Sequence, residues 1–203
     1  MVRYRDTTIK DETIVLDKHP EDLYQFLGPN LILKNCTLVI KLSANALGIQ
    51  TLQMEGGRFE QKKQLTNVQL NTCHFDGVTF TGSFSGVDFG WWNDDKDASI
   101  KNCDFSHAKL KGVRFLQTDL STIVLPEAPG FSFTINKKHL SEFQIPEEWP
   151  RKLKSYVRTA ANSVDGCSLV AYDAHDIAKS SKTTPEYVLE CLSEVPGFKL
   201  GND

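Results

Sequence analysis

Acidic and aromatic side chains cluster at Trp91, Trp92, Asp94, Asp95 and Asp97, near the middle of the 203-residue chain. Carboxylates this close could act as paired acids in glycoside cleavage, which needs two carboxyl groups at a fixed separation across a cleft. A single loop does not provide that separation. Tryptophans beside acids suit a protein contact, because tryptophan dominates interface hot spots and carboxylates complement a basic surface. We therefore expect these five residues to bind a partner; packing of both tryptophans inside the chain is the alternative.

The other residues that could do chemistry do not converge on one site. The segment 82–86 reads Gly-Ser-Phe-Ser-Gly, with phenylalanine where a nucleophile elbow has serine. The five histidines are scattered and lack the spacing that brings two imidazoles to one metal, and no phosphate-binding loop or dinucleotide fingerprint occurs. We expect no catalytic residue, no metal site, no cofactor and no enzymatic activity.

The five cysteines form no Cys-x-x-Cys pair, and their odd number leaves one unpaired under any disulfide scheme. Cys73 and Cys103 occupy the small position of the repeat described next. Buried thiols behave there as small hydrophobic side chains, so we expect both cysteines to be structural.

Large apolar residues recur every five positions between residues 98 and 125. They are Ile100, Phe105, Leu110, Phe115, Leu120 and Leu125, and a small or β-branched residue stands two positions before each. A helical period of 3.6 or a strand period of 2 would place successive members of this series on different faces. The spacing therefore needs a third geometry.

The run resembles the pentapeptide repeat family, whose consensus is roughly Ala-(Asp/Asn)-Leu-x-x. The matching segments begin at Cys103, Ala108, Val113 and Thr118. The resemblance covers roughly residues 31–125 and is clearest at 65–80 and 98–125. It implies a right-handed quadrilateral β-helix in which four repeat units make one coil, with the large and small residues facing inward. The family includes proteins that protect DNA gyrase, and it also includes bacterial effectors.

The five-residue spacing changes between Phe80 and Ile100, because Phe84 and Phe89 each arrive one position early. The separation of Phe80 and Ile100 still equals four repeat units, which predicts one coil of normal length. Its last side is expected to leave the repeat as an outward loop or distorted corner at 90–97.

The predicted fold is mainly β, a β-helix of pentapeptide-repeat type with a short N-terminal capping segment and a C-terminal α-helical region. The expected divisions are 1–30, 31–135 and 136–203. A helix over residues 19–28 would cover the open end of the β-helix, and residues 131–135 alternate like a last strand. Helices are expected from Pro146, over about 168–180 and over 185–194; the last two faintly resemble a helix-turn-helix.

The formal net charge of −3 disfavours a general nucleic-acid or anionic-membrane binder. No apolar leader or run of about 18 apolar residues occurs, which favours a cytosolic protein. We expect a bacterial protein-binding module, most specifically an immunity protein that neutralises a cognate secreted toxin. The alternatives are a DNA-mimic regulator of gyrase or topoisomerase and a small β-helix enzyme acting on polysaccharides.

Overall fold

The computed structural model describes residues 3–18, 24–70, 72–91 and 98–201. Within these residues the chain forms many short strands that stack coil upon coil. In chain order the strands are β1 (Arg3–Tyr4), β2 (Thr7–Lys10), β3 (Thr13–Leu16), β4 (Gln25–Leu27), β5 (Leu31–Lys34), β6 (Thr37–Ile40), β7 (Leu47–Ile49), β8 (Gln53–Glu55), β9 (Arg58–Thr66), β10 (His74–Asp76), β11 (Thr79–Ser85), β12 (Asp88–Gly90), β13 (Ser99–Lys101), β14 (Cys103–Asp104), β15 (Ala108–Lys111), β16 (Val113–Leu116), β17 (Ile123–Val124), β18 (Gly130–Thr134), β19 (Cys167–Asp173) and β20 (Phe198–Lys199).

The strands up to β17 form a four-sided solenoid of about five turns, as the repeat predicts. Side one contains β1, β4 and β7 and then, past an isolated bridge between Gln69 and Asp88, β12 and β16. Side two contains β2, β5, β8, β10 and β13, and side three contains β3, β6, β9, β11, β14 and β17. Side four is made by the ends of β9 and β11 with β15. All neighbouring strands within the solenoid are parallel.

One large apolar side chain per side points inward and stacks on its equivalent in the next coil. Side two places Leu33, Met54, Phe75 and Ile100 in register, and all four are buried. On side three, Phe80 stacks on Phe105 with ring centroids 4.4 Å apart and planes 2° from parallel. Seven phenylalanines form a continuous aromatic column through the later coils. The five-residue period thus builds the core that holds the solenoid together.

The coil that contains the change of spacing is longer than the sequence predicts. Phe75 pairs with Met54 of the preceding coil, and the two are four repeat units plus one residue apart. Phe75 also pairs with Ile100 of the following coil, and these two are five full repeat units apart. The structural partner of Phe80 is Phe105, not Ile100. The expectation of a coil of normal length is therefore wrong, because it matched residues on two different sides of the solenoid. The excess residues lie between β12 and β13.

Phe84 arrives early because β11 turns the corner between sides three and four in four residues from Phe80, whereas the next coil takes five from Phe105 to Leu110. Strand β9 has the opposite irregularity at this corner, a bulge. Gly82 pairs with Gln61 and Phe84 pairs with Leu65, so residues 62–64 of β9 face the single residue Ser83 of β11. The bulge pushes the chain outward at the corner between sides three and four, while Leu65 and Phe84 stay buried.

The N-terminal residues build the first coil. Strands β1, β2 and β3 pair in parallel with β4, β5 and β6, so residues 3–16 are stacked in the same way as those after residue 31. The helix expected over residues 19–28 is corrected where the structure describes it, since Gln25–Leu27 is a strand on side one. Residues 19–23 of that expectation lie outside the described residues.

The C-terminal region is a mixed α/β module that closes the later end of the solenoid. Strand β16 pairs in parallel with β12 on one edge and antiparallel with β19 on the other, and β18 and β20 continue this sheet. Leu169 and Ala171 of β19 pack into the solenoid core, whereas Val170 and Tyr172 pack against the helices. One strand therefore serves both cores.

Four helices cover the outer face of this sheet: α1 (Lys137–Glu142), α2 (Arg151–Ala161), α3 (Ala174–Ser181) and α4 (Pro185–Ser193). The prediction for α4 is confirmed, including Thr184 as its N-cap and Pro185 at its first turn. The helix expected over 168–180 is wrong in its first half, because that part is β19. The strand expected over 131–135 is confirmed as β18.

Candidate functional site

The predicted partner-binding residues fall at the corner between sides one and two. Three residues connect β4 to β5 and β7 to β8 at this corner, whereas eight residues, 91–98, connect β12 to β13. Trp91 is half-buried at the start of this connection. Trp92, Asp94, Asp95 and Asp97 lie outside the described residues, so their role as partner contacts stays a prediction.

The strand before this corner is held by a buried ion pair. Arg114 donates from Nε and an Nη atom to the two carboxylate oxygens of Asp88 at 2.6 and 2.7 Å. The Asp88 side chain is 6% exposed, and its hydrogen bonds with Arg114, followed by its charge, raise the pKa of that arginine. Two residues on, Gly90 has φ = 87°, and a Cβ there would collide with the Leu116 carbonyl oxygen. Only glycine fits this approach of the two strands.

The strand after the corner is equally well anchored. Ala98 is 1% exposed, and the Ser99 amide donates to the Cys73 carbonyl at 3.0 Å. His74 Nδ1 and Ser99 Oγ are 3.0 Å apart on the outer surface of side two. The connection therefore begins and ends on fixed strands, as expected for a binding loop on a rigid scaffold.

The outer surface of side two next to this corner carries charges of both signs. Lys34 pairs with Glu55 at 2.7 Å, and Lys101 pairs with Asp76 at 3.1 Å, each across neighbouring strands. Asn102 donates to Asp76, and this hydrogen bond, with the help of Lys101, lowers the pKa of the Asp76 carboxyl. A DNA mimic needs a continuous negatively charged surface, and the mixed charges of side two do not form one.

Residues that could support nucleophilic chemistry meet at one cleft without forming a catalytic arrangement. A 620 Å³ cleft beside the bulge of β9 is lined by Ser83, His107 and Asp173. No hydrogen bond joins these three side chains within the described chain, and Asp173 instead pairs with Lys109 at 3.4 Å. Ser83 lies within a strand, so segment 82–86 lacks the strand-to-helix turn of a nucleophile elbow.

The five cysteines are all free and buried. Burial raises the pKa of Cys73 to about 12 and that of Cys103 to about 11. A thiol with such a pKa stays protonated and is a poor nucleophile at neutral pH. Among the described residues, no group of three or more histidine, cysteine or acidic side chains could hold a metal ion.

The helix-turn-helix resemblance has a structural basis in α3 and α4. Lys182 ends α3 in the left-handed conformation, with φ = 57°, at the position where such motifs usually have glycine. The second helix of such a motif normally reads DNA. The exposed residues of α4 include Glu186 and Glu190 and no lysine or arginine, so this helix lacks the charge that phosphate contacts require.

The described helices are all too short and polar to cross a membrane.

The stacked coils agree with a comparison against protein families, in which residues 96–125 match the model described as pentapeptide repeats (8 copies). The chain carries pentapeptide repeats. The matched span covers β13 to β17, which is the part of the pentapeptide-repeat solenoid where the five-residue period is uninterrupted. No curated protein and no solved structure matches the chain.

Proposed function

We propose that this pentapeptide-repeat protein is a non-catalytic module that binds another protein. The observation that carries the proposal is the long connection between β12 and β13, which adds residues to one coil while the strands on both sides stay in register. The core does not need these residues, because Phe75 and Ile100 still pair in register between β10 and β13. The pentapeptide-repeat solenoid is also a fold typical of protein-interaction modules.

Within this class, we propose an immunity protein that neutralises a cognate secreted toxin in a bacterial cytosol. The predicted contact residues Trp91, Trp92, Asp94, Asp95 and Asp97 combine large aromatic area with negative charge. That combination suits a basic protein surface such as the face of a nucleic-acid-cleaving toxin. The mixed charge of side two supports this proposal over a DNA mimic.

The test is co-purification of tagged protein from its native host, followed by mass spectrometry and by affinity measurement with the recovered partner. We expect one stoichiometric partner, and an affinity at least tenfold lower for the variant D94N/D95N/D97N. The control D11N/E12Q/D17N removes three exposed acids from the first coil and should bind like the wild type. A failure to recover a stoichiometric partner, or equal affinity for both variants, would contradict the proposal.

A second experiment tests the finer proposal. If the partner is a toxin, its expression should stop growth, and co-expression of this protein should restore growth. Restoration should fail with the triple Asp→Asn variant. A partner that leaves growth unaffected would retain the binding function and overturn the immunity role.

A further inference from the structure

Helix α2 places an unusual amount of uncompensated positive charge on the surface of the C-terminal module. Its eleven residues contain Arg151, Lys152, Lys154 and Arg158 and no acid. Arg151, Lys152 and Arg158 are exposed, and in the described part of the chain no ion pair joins any of these three to an acid. Lys154 donates to the Glu147 carbonyl oxygen at 2.9 Å.

The opposite face of α2 explains why the cations point outward. Leu153, Val157 and Ala160 are buried in the core between the helices and the sheet. Residues 151, 155, 158 and 162 lie along the other face at helical spacing, and Ser155 and Thr159 interleave hydroxyl groups with the two arginines. The result is a single basic stripe on a helix whose packing is already satisfied.

This arrangement is electrostatically unfavourable for the isolated chain. Like charges at spacings of three and four residues repel, as for the pairs Arg151–Lys154 and Lys154–Arg158. Arg151 and Lys152 also lie in the first turn, at the positive end of the helix dipole, and the N-cap residue Pro150 offers no capping side chain. A bound anion would relieve both effects.

The size of the stripe decides between the possible anionic partners. Arg151 and Arg158 are seven residues apart, which is about 10 Å along a helix. Glu147 and Glu148 lie directly before α2, and Asp165, which follows it, is paired with Lys137 of α1 at 2.6 Å. A nucleic-acid duplex or a membrane surface extends well beyond the length of the stripe and would meet Glu147 and Glu148. A short acidic protein segment, with two or three carboxylates one or two helical turns apart, would not.

We propose that the exposed face of α2 binds a short acidic segment of a protein partner, with Arg151 and Arg158 as its main contacts. Arginine suits this role because its planar guanidinium group donates two parallel hydrogen bonds to one carboxylate. This inference deepens the proposed protein-binding function and rests on it.

The test uses defined anions and measures binding by fluorescence anisotropy at low and moderate salt. The probes are a fluorescent helical peptide with glutamates at spacings of three and four residues, the same peptide with glutamine, a random-sequence DNA duplex, and vesicles of phosphatidylcholine with phosphatidylglycerol. We expect the glutamate peptide to bind at least tenfold more tightly than the other three probes. The variant R151E/R158E should lose this binding at least tenfold. The control K10E/K18E, which makes the same charge change on the first coil, should retain it.

The proposal is overturned if both variants bind the glutamate peptide equally, or if the duplex or the vesicles bind more tightly than the peptide. The native complex separates this inference from the proposed function. If the same partner is recovered equally with wild type and with R151E/R158E, the protein-binding function stands and α2 is not the binding surface. If no partner is recovered but the glutamate peptide binds through Arg151 and Arg158, the proposed function is contradicted and the acid-binding face of α2 stands.

Discussion

Asp88 and Arg114 form a bidentate ion pair across two neighbouring coils, at the place where the solenoid meets the C-terminal module. Arg114 lies opposite Val170 of β19, so the pair is covered by the module on one side. Removing one partner of a buried pair leaves a desolvated charge, whereas replacing both partners with apolar residues can be nearly neutral.

We therefore expect D88A to lower the free energy of unfolding by about 3 kcal/mol, the lower end of the range for broken buried pairs, since Arg114 keeps some solvent contact. The double variant D88L/R114M should recover most of this loss. Urea unfolding monitored by circular dichroism measures both values. Loss of the exposed pair Lys101–Asp76 in the variant D76A should cost far less. A D88A variant as stable as D76A would show that the pair does not hold the strands.

The stacked rings of Phe80 and Phe105 make the aromatic column sensitive to cavities. F105A should lower the free energy of unfolding by about 3–5 kcal/mol, because the fully buried ring leaves an unfilled space between two coils. F105L should cost less than about 1.5 kcal/mol, since leucine occupies the equivalent position of the neighbouring segment at Leu110. Chemical denaturation of both variants checks the order. Equal losses would mean that ring stacking, and not filled volume, is the main contribution.

The buried thiols predict a loss of stability at alkaline pH. Cys73 and Cys103 keep their protons up to about pH 12 and about pH 11 in the folded chain, while an unperturbed thiol loses its proton near the reference pKa of 9.0. Above pH 9 the unfolded state therefore binds fewer protons than the folded state, so stability falls as pH rises and is unaffected well below that pH.

The measurement compares urea midpoints at several pH values for wild type and for C73A/C103A. Tyrosines and lysines also titrate in this range, so the informative quantity is the difference in slope between the two proteins. The slope should be shallower for the double variant. Identical slopes would contradict the role assigned to the two thiols.

The long coil predicts that one repeat unit of its length is dispensable for folding. Deleting residues 93–97 leaves a coil of four repeat units, the spacing seen between Cys103 and Ile123. We expect this deletion to preserve the circular dichroism spectrum and to abolish partner binding. Deleting residues 103–107 shortens the chain equally but moves every later strand to the wrong side of the solenoid, and it should destroy folding. Unfolding of the first variant would show that the connection supports the coil.

The five-residue period is sufficient to predict the solenoid, because each inward position is apolar wherever the core requires it. The coil length is harder to predict, since Ile100 follows Phe80 by four repeat units but belongs to another side. When the inserted segment is as long as one repeat unit, the apolar residues after it are again multiples of five positions from those before it. They nevertheless lie on a different side of the solenoid. Only the strand pairing separates these two arrangements.

Strand β19 escapes prediction for a different reason. Leu169 and Ala171 face one core while Val170 and Tyr172 face the other, so the strand is apolar on both faces and shows no alternation. Its apolar residues run directly into those of α3, which makes the whole stretch resemble a helix. For the candidate site, the sequence alone indicates the connection that contains Trp91. The basic residues of α2 can also be recognised in the sequence as a polar helix face. Only the structure shows that they have no acidic partners among the described residues.

The antiparallel pairing of β19 with β16 also constrains how this protein can vary in length. A further coil cannot stack on the last one, because the edge of β16 that would receive its side-one strand is taken by the antiparallel strand β19 of the C-terminal module. Coils added or lost by duplication of a segment must fall before β16, either at the first coil or between existing ones. A longer or shorter rod built on this design should therefore keep the C-terminal module and differ before β16.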